Sequence, residues 1–158
     1  MKIGGISDTH GHVPEEALAA LAGVEHILHA GDVGPMAVIQ KLECIAPVTA
    51  VRGNTDHGID LPETAVFERG EIKFLLHHIV DYPKPTGSAA EAIKEYQPDV
   101  VVFGHTHMPC DEDSDGLRWL NPGSAAQPRG LHAASIMLIE VGESLGTQLV
   151  VLDRELPA

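Results

Sequence analysis

The order of elements along this chain predicts an α/β sandwich with mixed sheets. Short apolar runs alternate with amphipathic segments as far as Phe103, and beyond Leu117 only strand-like runs remain. Several of the early runs stop abruptly at a glycine or a polar side chain, as strands do when they feed a turn. The 158 residues fit one domain, 1–158, and 44% apolar with 21% charged residues supply a core without a long block of like charge. No repeat, linker or low-complexity segment divides the chain.

Lys2 to Ser7 forms the first predicted strand and ends at Asp8-Thr9-His10-Gly11-His12. Pro14 suits a first helical position and Glu15-Glu16 favour the positive end of the dipole, which places a helix from Pro14 to about Ala22, closed by Gly23. His26 to Ala30 is a second strand leading into Gly31-Asp32. Gly34-Pro35 open the next helix, where Met36, Ile39, Leu42 and Ile45 share one face and Pro47 forbids continuation. Val48 to Arg52 is a β-branched third strand ending in Gly53-Asn54. Ala65 to Glu68 and Ile72 to Leu76 flank Arg69-Gly70-Glu71 as a hairpin whose second strand stops at His77-His78. Ser88-Ala89-Ala90-Glu91 reads as a capping box, giving a helix from Ala89 to about Tyr96. Val100 to Phe103 suits a strand covered on both faces, ending in Gly104-His105-Thr106-His107. Asp111 to Gly116 reads as an acidic turn, Leu117 to Leu120 as a short strand before Asn121-Pro122-Gly123-Ser124, and Pro128-Arg129-Gly130 as a loop. Ser135 to Val141 and Gln148 to Asp153 are predicted strands joined by a turn over residues 142–146.

Composition excludes several classes of function. A formal net charge of −13 argues against a nucleic-acid duplex or an anionic membrane as partner. No apolar run approaches the roughly 20 residues of a span, and the N-terminus lacks a signal pattern, so a cytoplasmic protein is expected. Cys44 and Cys110 read as ordinary free thiols. The oligomeric state is left open, a homo-oligomer included.

The chemistry lies at the strand ends. Five of them carry Asp8-x-His10, Gly31-Asp32, Gly53-Asn54, His77 and Gly104-His105-x-His107, and the carboxyl edge of an open α/β sheet is where sites assemble. Seven oxygen and nitrogen donors exceed the needs of one tetrahedral ion and suit two ions sharing a carboxylate, about 3.5–4 Å apart. Two divalent ions outweigh the carboxylates of Asp8 and Asp32, which makes a cationic site for an anionic substrate such as a phosphate ester. No cysteine joins the set, leaving manganese, iron, zinc, cobalt or nickel, with manganese expected.

These motifs, in this order, resemble the calcineurin-like metallophosphoesterases over roughly residues 1–155, and within them the small single-domain YfcE-type phosphodiesterases, which also fits Asn121-Pro122-Gly123-Ser124. The resemblance implies a four-layer αββα sandwich with two mixed sheets. It implies that Asp8, His10 and His107 hold one ion, that Asn54, His77 and His105 hold the other, and that Asp32 bridges them. Asp32, Asn54 and His105 are the expected catalytic members of the set, and Asp56 and Asn121 are expected to orient ligands by hydrogen bonds. Larger relatives have histidine after the asparagine where this chain has Thr55, and relatives often show His-Gly-His where it has His77-His78-Ile79. His12, Arg52, His78 and Arg129 are candidate substrate contacts, whereas His26 and His29 read as structural or surface residues, and His57 and His132 as loop residues. The expected activity is hydrolysis of phosphodiesters by a metal-bound hydroxide. A phosphomonoester or dinucleoside polyphosphate hydrolase is the alternative within enzymes. A non-catalytic interaction module, like a eukaryotic retromer subunit that resembles this group in fold, is the alternative outside them.

Overall fold

The computed structural model describes residues 1–152, so Asp153 of the last expected strand lies outside the described residues. The elements run β1 Lys2–Ile6, α1 Glu15–Ala20, β2 His26–His29, α2 Met36–Glu43, β3 Val48–Ala50, β4 Thr64–Arg69 and β5 Ile72–His77. They continue with α3 Gly87–Tyr96, β6 Val100–Val102, β7 Cys110–Ser114, β8 Leu117–Asn121, β9 Ser135–Val141 and β10 Leu145–Val151.

Two five-stranded sheets form, in the orders β10-β9-β1-β2-β3 and β4-β5-β6-β8-β7. Both are mixed: β1, β2 and β3 pair in parallel, as do β5, β6 and β8, while β9, β10, β4 and β7 pair antiparallel. Side-chain alternation then dictates the layers. Ile3, Leu28, Met137 and Ile139 of one sheet meet Phe74, Leu76, Val100, Val102 and Leu120 of the other in a single buried cluster. The opposite faces are covered by helices. Ile6, Ile27 and Ile136 pack on Ala17 from α1 and Leu21 at its C-terminal cap, and on Val38, Ile39 and Leu42 from α2. Val101 and Trp119 pack beneath Ala89 of α3. The result is the four-layer αββα sandwich. Among the described residues no helix is long and apolar enough to cross a membrane, and both cysteines are free.

Three local expectations are corrected. Residues 110–114 are not an acidic turn but β7, which pairs with β8 through a two-residue connection in which Asp115 and Gly116 have φ of 53° and 76°. A sheet edge tolerates the charges of Asp111, Glu112 and Asp113 because one side of the strand meets solvent. Arg118 on β8 further offsets them, at 2.6 Å from Asp111 and 3.7 Å from Asp113. The capping box at Ser88 does not form: α3 starts at Gly87 with Thr86 as its N-cap, and no side-chain cap bond is made. The Ser88 hydroxyl is engaged elsewhere, with Glu63 and His77. The last strand starts three residues earlier than the sequence pattern suggests, at Leu145, because a tight turn lets it pair with β9 along its whole length.

Trp119 is 1% exposed and fills the space between β8 and α3, with its indole N–H donating to the Ser114 carbonyl at 3.0 Å. Trp119→Ala is expected to lower stability by about 3–5 kcal/mol. Denaturant unfolding followed by circular dichroism measures it, and a loss below about 1 kcal/mol would show that α3 is not held by this packing.

Candidate metal centre

The parallel strands β1, β2 and β3 of one sheet and β5 and β6 of the other end on the same side of the sandwich, and their following residues converge. Asp8, His10, Asp32 and His107 each offer a ligand atom, all within 4.8 Å of one another. Asp32, His78 and His105 form a second such group, and Asp32 belongs to both. Asn54 joins the second through its Oδ1, 3.1 Å from His105 Nδ1. Six of the seven expected side chains are thus brought together.

His77 is the exception, and His78 takes its place. Along β5 the side chains of Phe74 and Leu76 face the inter-sheet core, and the same alternation turns His78 to that side and His77 to the side of α3. His77 bonds Thr64 Oγ1 at 2.8 Å and Ser88 Oγ at 3.2 Å, both away from the cluster. His78 Nε2 lies 3.2 Å from Asp32 Oδ2 and 3.8 Å from Asp8 Oδ1. The residue expected to replace a glycine and touch substrate is therefore a member of the cluster itself.

Bringing these groups together needs unusual backbone. Asp8, His10, Asp32, His105 and His107 all have positive φ, between 45° and 72°, a conformation costing of order 1 kcal/mol for a residue with a Cβ. Gly53 and Gly104 permit close approach, since a Cβ at Gly53 would collide with Asp32 Oδ1 and one at Gly104 would stand 2.6 Å from Asp8 Oδ2. Hydrogen bonds hold the bends. Asp56 accepts the N–H groups of Val33, Gly34 and Gly53 at 2.8–3.0 Å, clasping the loops on either side of Asp32 and Asn54. Asn121 donates to Gly104 O and Thr106 Oγ1, and Ser124 donates to Asp8 O. Asp56 and Asn121 thus act on the backbone of the donor loops rather than on donor side chains. Thr55 contributes its N–H, which donates to Asp32 Oδ1 at 3.0 Å.

The donor set fits divalent cations. Asp8 Oδ1 and His78 Nε2 are buried with no hydrogen-bond partner among the described residues, a costly condition that a bound cation relieves. The Nδ1–H of His78 donates to Ala30 O at 2.7 Å, and that of His107 donates to Gln127 O. Each Nε2 lone pair is thereby left for a metal. Burial pushes the Asp8 carboxyl up, against the Ser7 hydroxyl that favours its ionised form. Burial would raise Asp32 too, but the His78 imidazole and the Thr55 N–H hold it well below the usual carboxylate range. Burial lowers His78, yet the carboxylates of Asp32 and Asp8 outweigh this and raise it overall; His105 is lowered by burial.

The remaining candidates sit at the rim. His12 is exposed on the turn after His10. Arg52 is exposed beside Asn54 along a neighbouring cleft, with its guanidinium donating to Leu61 O. Arg129 is exposed on the loop that also carries Gln127, and its charge reaches His105.

His29, expected to be structural or a surface residue, is structural, and only its particular task was not visible in the sequence. It is fully buried, its Nδ1 accepts the Gly31 N–H at 3.1 Å, and its Nε2–H donates to Thr9 Oγ1 at 3.0 Å. Thr9 passes its own proton to Val33 O at 2.8 Å. One imidazole thus ties the Asp8-Thr9-His10 turn to the Gly31-Asp32 turn, and the one signal in the sequence is its position at the end of β2, just before Gly31-Asp32. Burial, against the attraction of Asp56, lowers its pKa to about 3. The unfolded chain then takes up a proton near pH 6.5 that the folded chain refuses, so this contribution to stability is whole above that pH and falls by about 1.4 kcal/mol per pH unit below it, down to the folded pKa. In metal-free protein, His29→Gln is expected to give a shallower fall of unfolding free energy between pH 6.5 and 4.5 than the parent. Equal slopes would mean that His29 is protonated in the fold.

The family model of the calcineurin-like phosphoesterase superfamily domain matches residues 1–144. A probable metallophosphoesterase of Methanothermobacter thermautotrophicus is 36% identical over 159 aligned positions, covering 95% of this chain and 92% of that protein. Phosphodiesterase YfcE of Escherichia coli is 30% identical, covering 89% of this chain and 88% of its own. The crystal structure of a single-mutant Vps29 from Entamoeba histolytica superposes with a TM-score of 0.77 over 97% of this chain and all of that one, at 23% identity, a likeness of fold alone. The chain belongs to the calcineurin-like phosphoesterase superfamily.

Proposed function

We propose that the protein is a two-metal phosphodiesterase in which Asp8, His10 and His107 hold one ion, Asn54, His78 and His105 hold the other, and Asp32 joins both. The observation that carries this reading is the pair of overlapping donor groups sharing Asp32. Manganese is the proposed metal, since the donors are carboxylate, amide and imidazole with no thiolate among them. Divalent ions at such a centre supply Lewis acidity to the phosphoryl oxygens and lower the pKa of water for attack on phosphorus.

The chain's own residues supply the rest. Two carboxylates, Asp8 and Asp32, leave a centre that is net cationic once loaded, so an anionic phosphodiester is drawn into an otherwise acidic surface. Arg52 and Arg129 stand at the rim, where a guanidinium can grip a phosphate oxygen, and His12 is a third candidate there. Thr55 offers no imidazole to protonate a leaving alcohol. Phosphodiesters are the preferred class on the strength of YfcE, a phosphodiesterase by name and 30% identical.

His78 and His77 provide the test. His78→Ala is expected to remove one ion of two and to lower turnover of bis(p-nitrophenyl) phosphate at least a hundredfold, whereas His77→Ala keeps both ions. Metal content by mass spectrometry with steady-state rates measures both outcomes. If His77→Ala lost an ion while His78→Ala kept two, the donor assignment would be wrong. A parent protein with neither metal nor turnover of mono- or diesters would favour an interaction module.

A further inference from the structure

A cleft of about 470 Å³ opens beside the centre and shares Asn54 and His78 with it. That volume is more than a phosphate needs and falls in the range of small-ligand sites. From the phosphoesterase reading, on which this inference rests, it follows that a diester whose phosphorus sits at the centre can lay one of its two arms here. The chemistry of the walls then says which arm.

Among the described residues two carboxylates, Glu63 and Asp81, and one guanidinium, Arg52, line the cleft. Both acids are held in place. Asp81 Oδ2 accepts the Thr86 hydroxyl at 2.7 Å. Glu63 Oε1 accepts the Ser88 hydroxyl at 3.1 Å, and Ser88 is in turn fixed from behind. Because Ser88 gives its proton to Glu63, its oxygen accepts the Nε2–H of His77 at 3.2 Å, and His77 Nδ1 accepts from Thr64 at 2.8 Å. A chain of donors from β4 through β5 to α3 thus aims one carboxylate at the cleft, while the Glu63 side chain stays 56% exposed with lone pairs to spare. Acceptors oriented before binding are what a donor-rich ligand requires.

Other arms are disfavoured by what the walls hold. Among the described residues no Phe, Tyr or Trp lines the cleft, and its two imidazoles are committed through their ring nitrogens to Thr64, Ser88 and Ala30, so a nucleobase has no large ring face to stack on and a quaternary ammonium has no cage. The carboxylates repel a second phosphate. Among the described residues Ile79 is the one large apolar side chain there, too little for an acyl chain. A primary ammonium would satisfy the two carboxylates but leave Arg52 repelled and without an acceptor. Hydroxyl groups satisfy both kinds of wall, donating to Glu63 and Asp81 and accepting from Arg52.

We infer that this cleft binds one arm of the phosphodiester substrate and that the arm is a short, neutral, hydroxyl-rich alcohol, a polyol or sugar. His77, Ser88 and Glu63 are its specificity residues. The manganese-loaded protein is to be assayed with p-nitrophenyl phosphodiesters that share a leaving group and differ in the second arm: glyceryl, ethyl or 2-aminoethyl. Binding of glyceryl and ethyl methylphosphonate is measured alongside by calorimetry. The glyceryl arm is expected to be favoured about tenfold over ethyl in kcat/KM and in affinity, the worth of one well-made hydrogen bond. Glu63→Gln and Ser88→Ala are expected to bring that ratio close to one, and a ratio taken within each variant is insensitive to how much of it folds. Equal use of glyceryl and ethyl arms, a ratio untouched by both substitutions, or preference for the 2-aminoethyl arm would each overturn the inference and leave the phosphodiesterase intact. Loss of turnover with every arm in the parent protein would overturn both.

Discussion

Asp8, His10, Asp32, His105 and His107 all stand on left-handed backbone, and holding that backbone in place is the constraint the rest of the structure serves. Each bend disfavours folding by of order 1 kcal/mol, and packing charged donors together adds repulsion that only cations relieve. The strands under the bends are therefore covered on both faces: Val100, Val101 and Val102 are at most 1% exposed, as are Ile3, Leu28 and Leu120. The loops themselves are tied by polar groups that do no chemistry. Asp56 gathers three backbone N–H groups, Ser124 anchors Asp8 through its carbonyl, and His29 joins the two acidic turns. Strain at the centre is stable because it is over-determined from below.

Much of this was legible in the sequence. Gly31-Asp32, Gly53-Asn54 and Gly104-His105 announce strands that end in tight turns carrying donors, the element order indicates an α/β sandwich with mixed sheets, and its four-layer αββα form is what the family resemblance implied. The acidic run at Asp111 hid a strand because charge disfavours sheet interiors, although Asp115-Gly116 is the dipeptide that a two-residue hairpin prefers. The Ser88-x-x-Glu91 pattern was locally sound but lost its hydroxyl to a tertiary partner, Glu63. His29 carries no signal of its importance beyond its place before Gly31-Asp32, because a hydrogen bond between two turns is a property of the assembled sheet.

The choice between His77 and His78 shows where reading by pattern stops. A strand exposed on one face reveals its register by alternating apolar and polar residues. The run Phe74-Leu75-Leu76-His77-His78 is buried throughout, at 3% exposure or less, so both parities look alike. Only the packing of Phe74 and Leu76 against the opposite sheet tells which histidine faces the centre.

That parity has a consequence for how the site is built. Successive side chains on a strand diverge, so His77 and His78 leave one peptide in opposite directions, one into the wall of the cleft and the other into the metal centre. His78 is anchored by Ala30 O from the turn after β2 and His77 by Thr64 and Ser88 from the second sheet and its helix. The end of β5 is consequently gripped from both sides. A shift of either anchor moves the other histidine with it, so the position of the reacting phosphorus and the position of the arm beside it are set by the same stretch of backbone. Recognition and chemistry share a frame here, and a substitution in the cleft that moves β5 would act on the centre even without touching a donor.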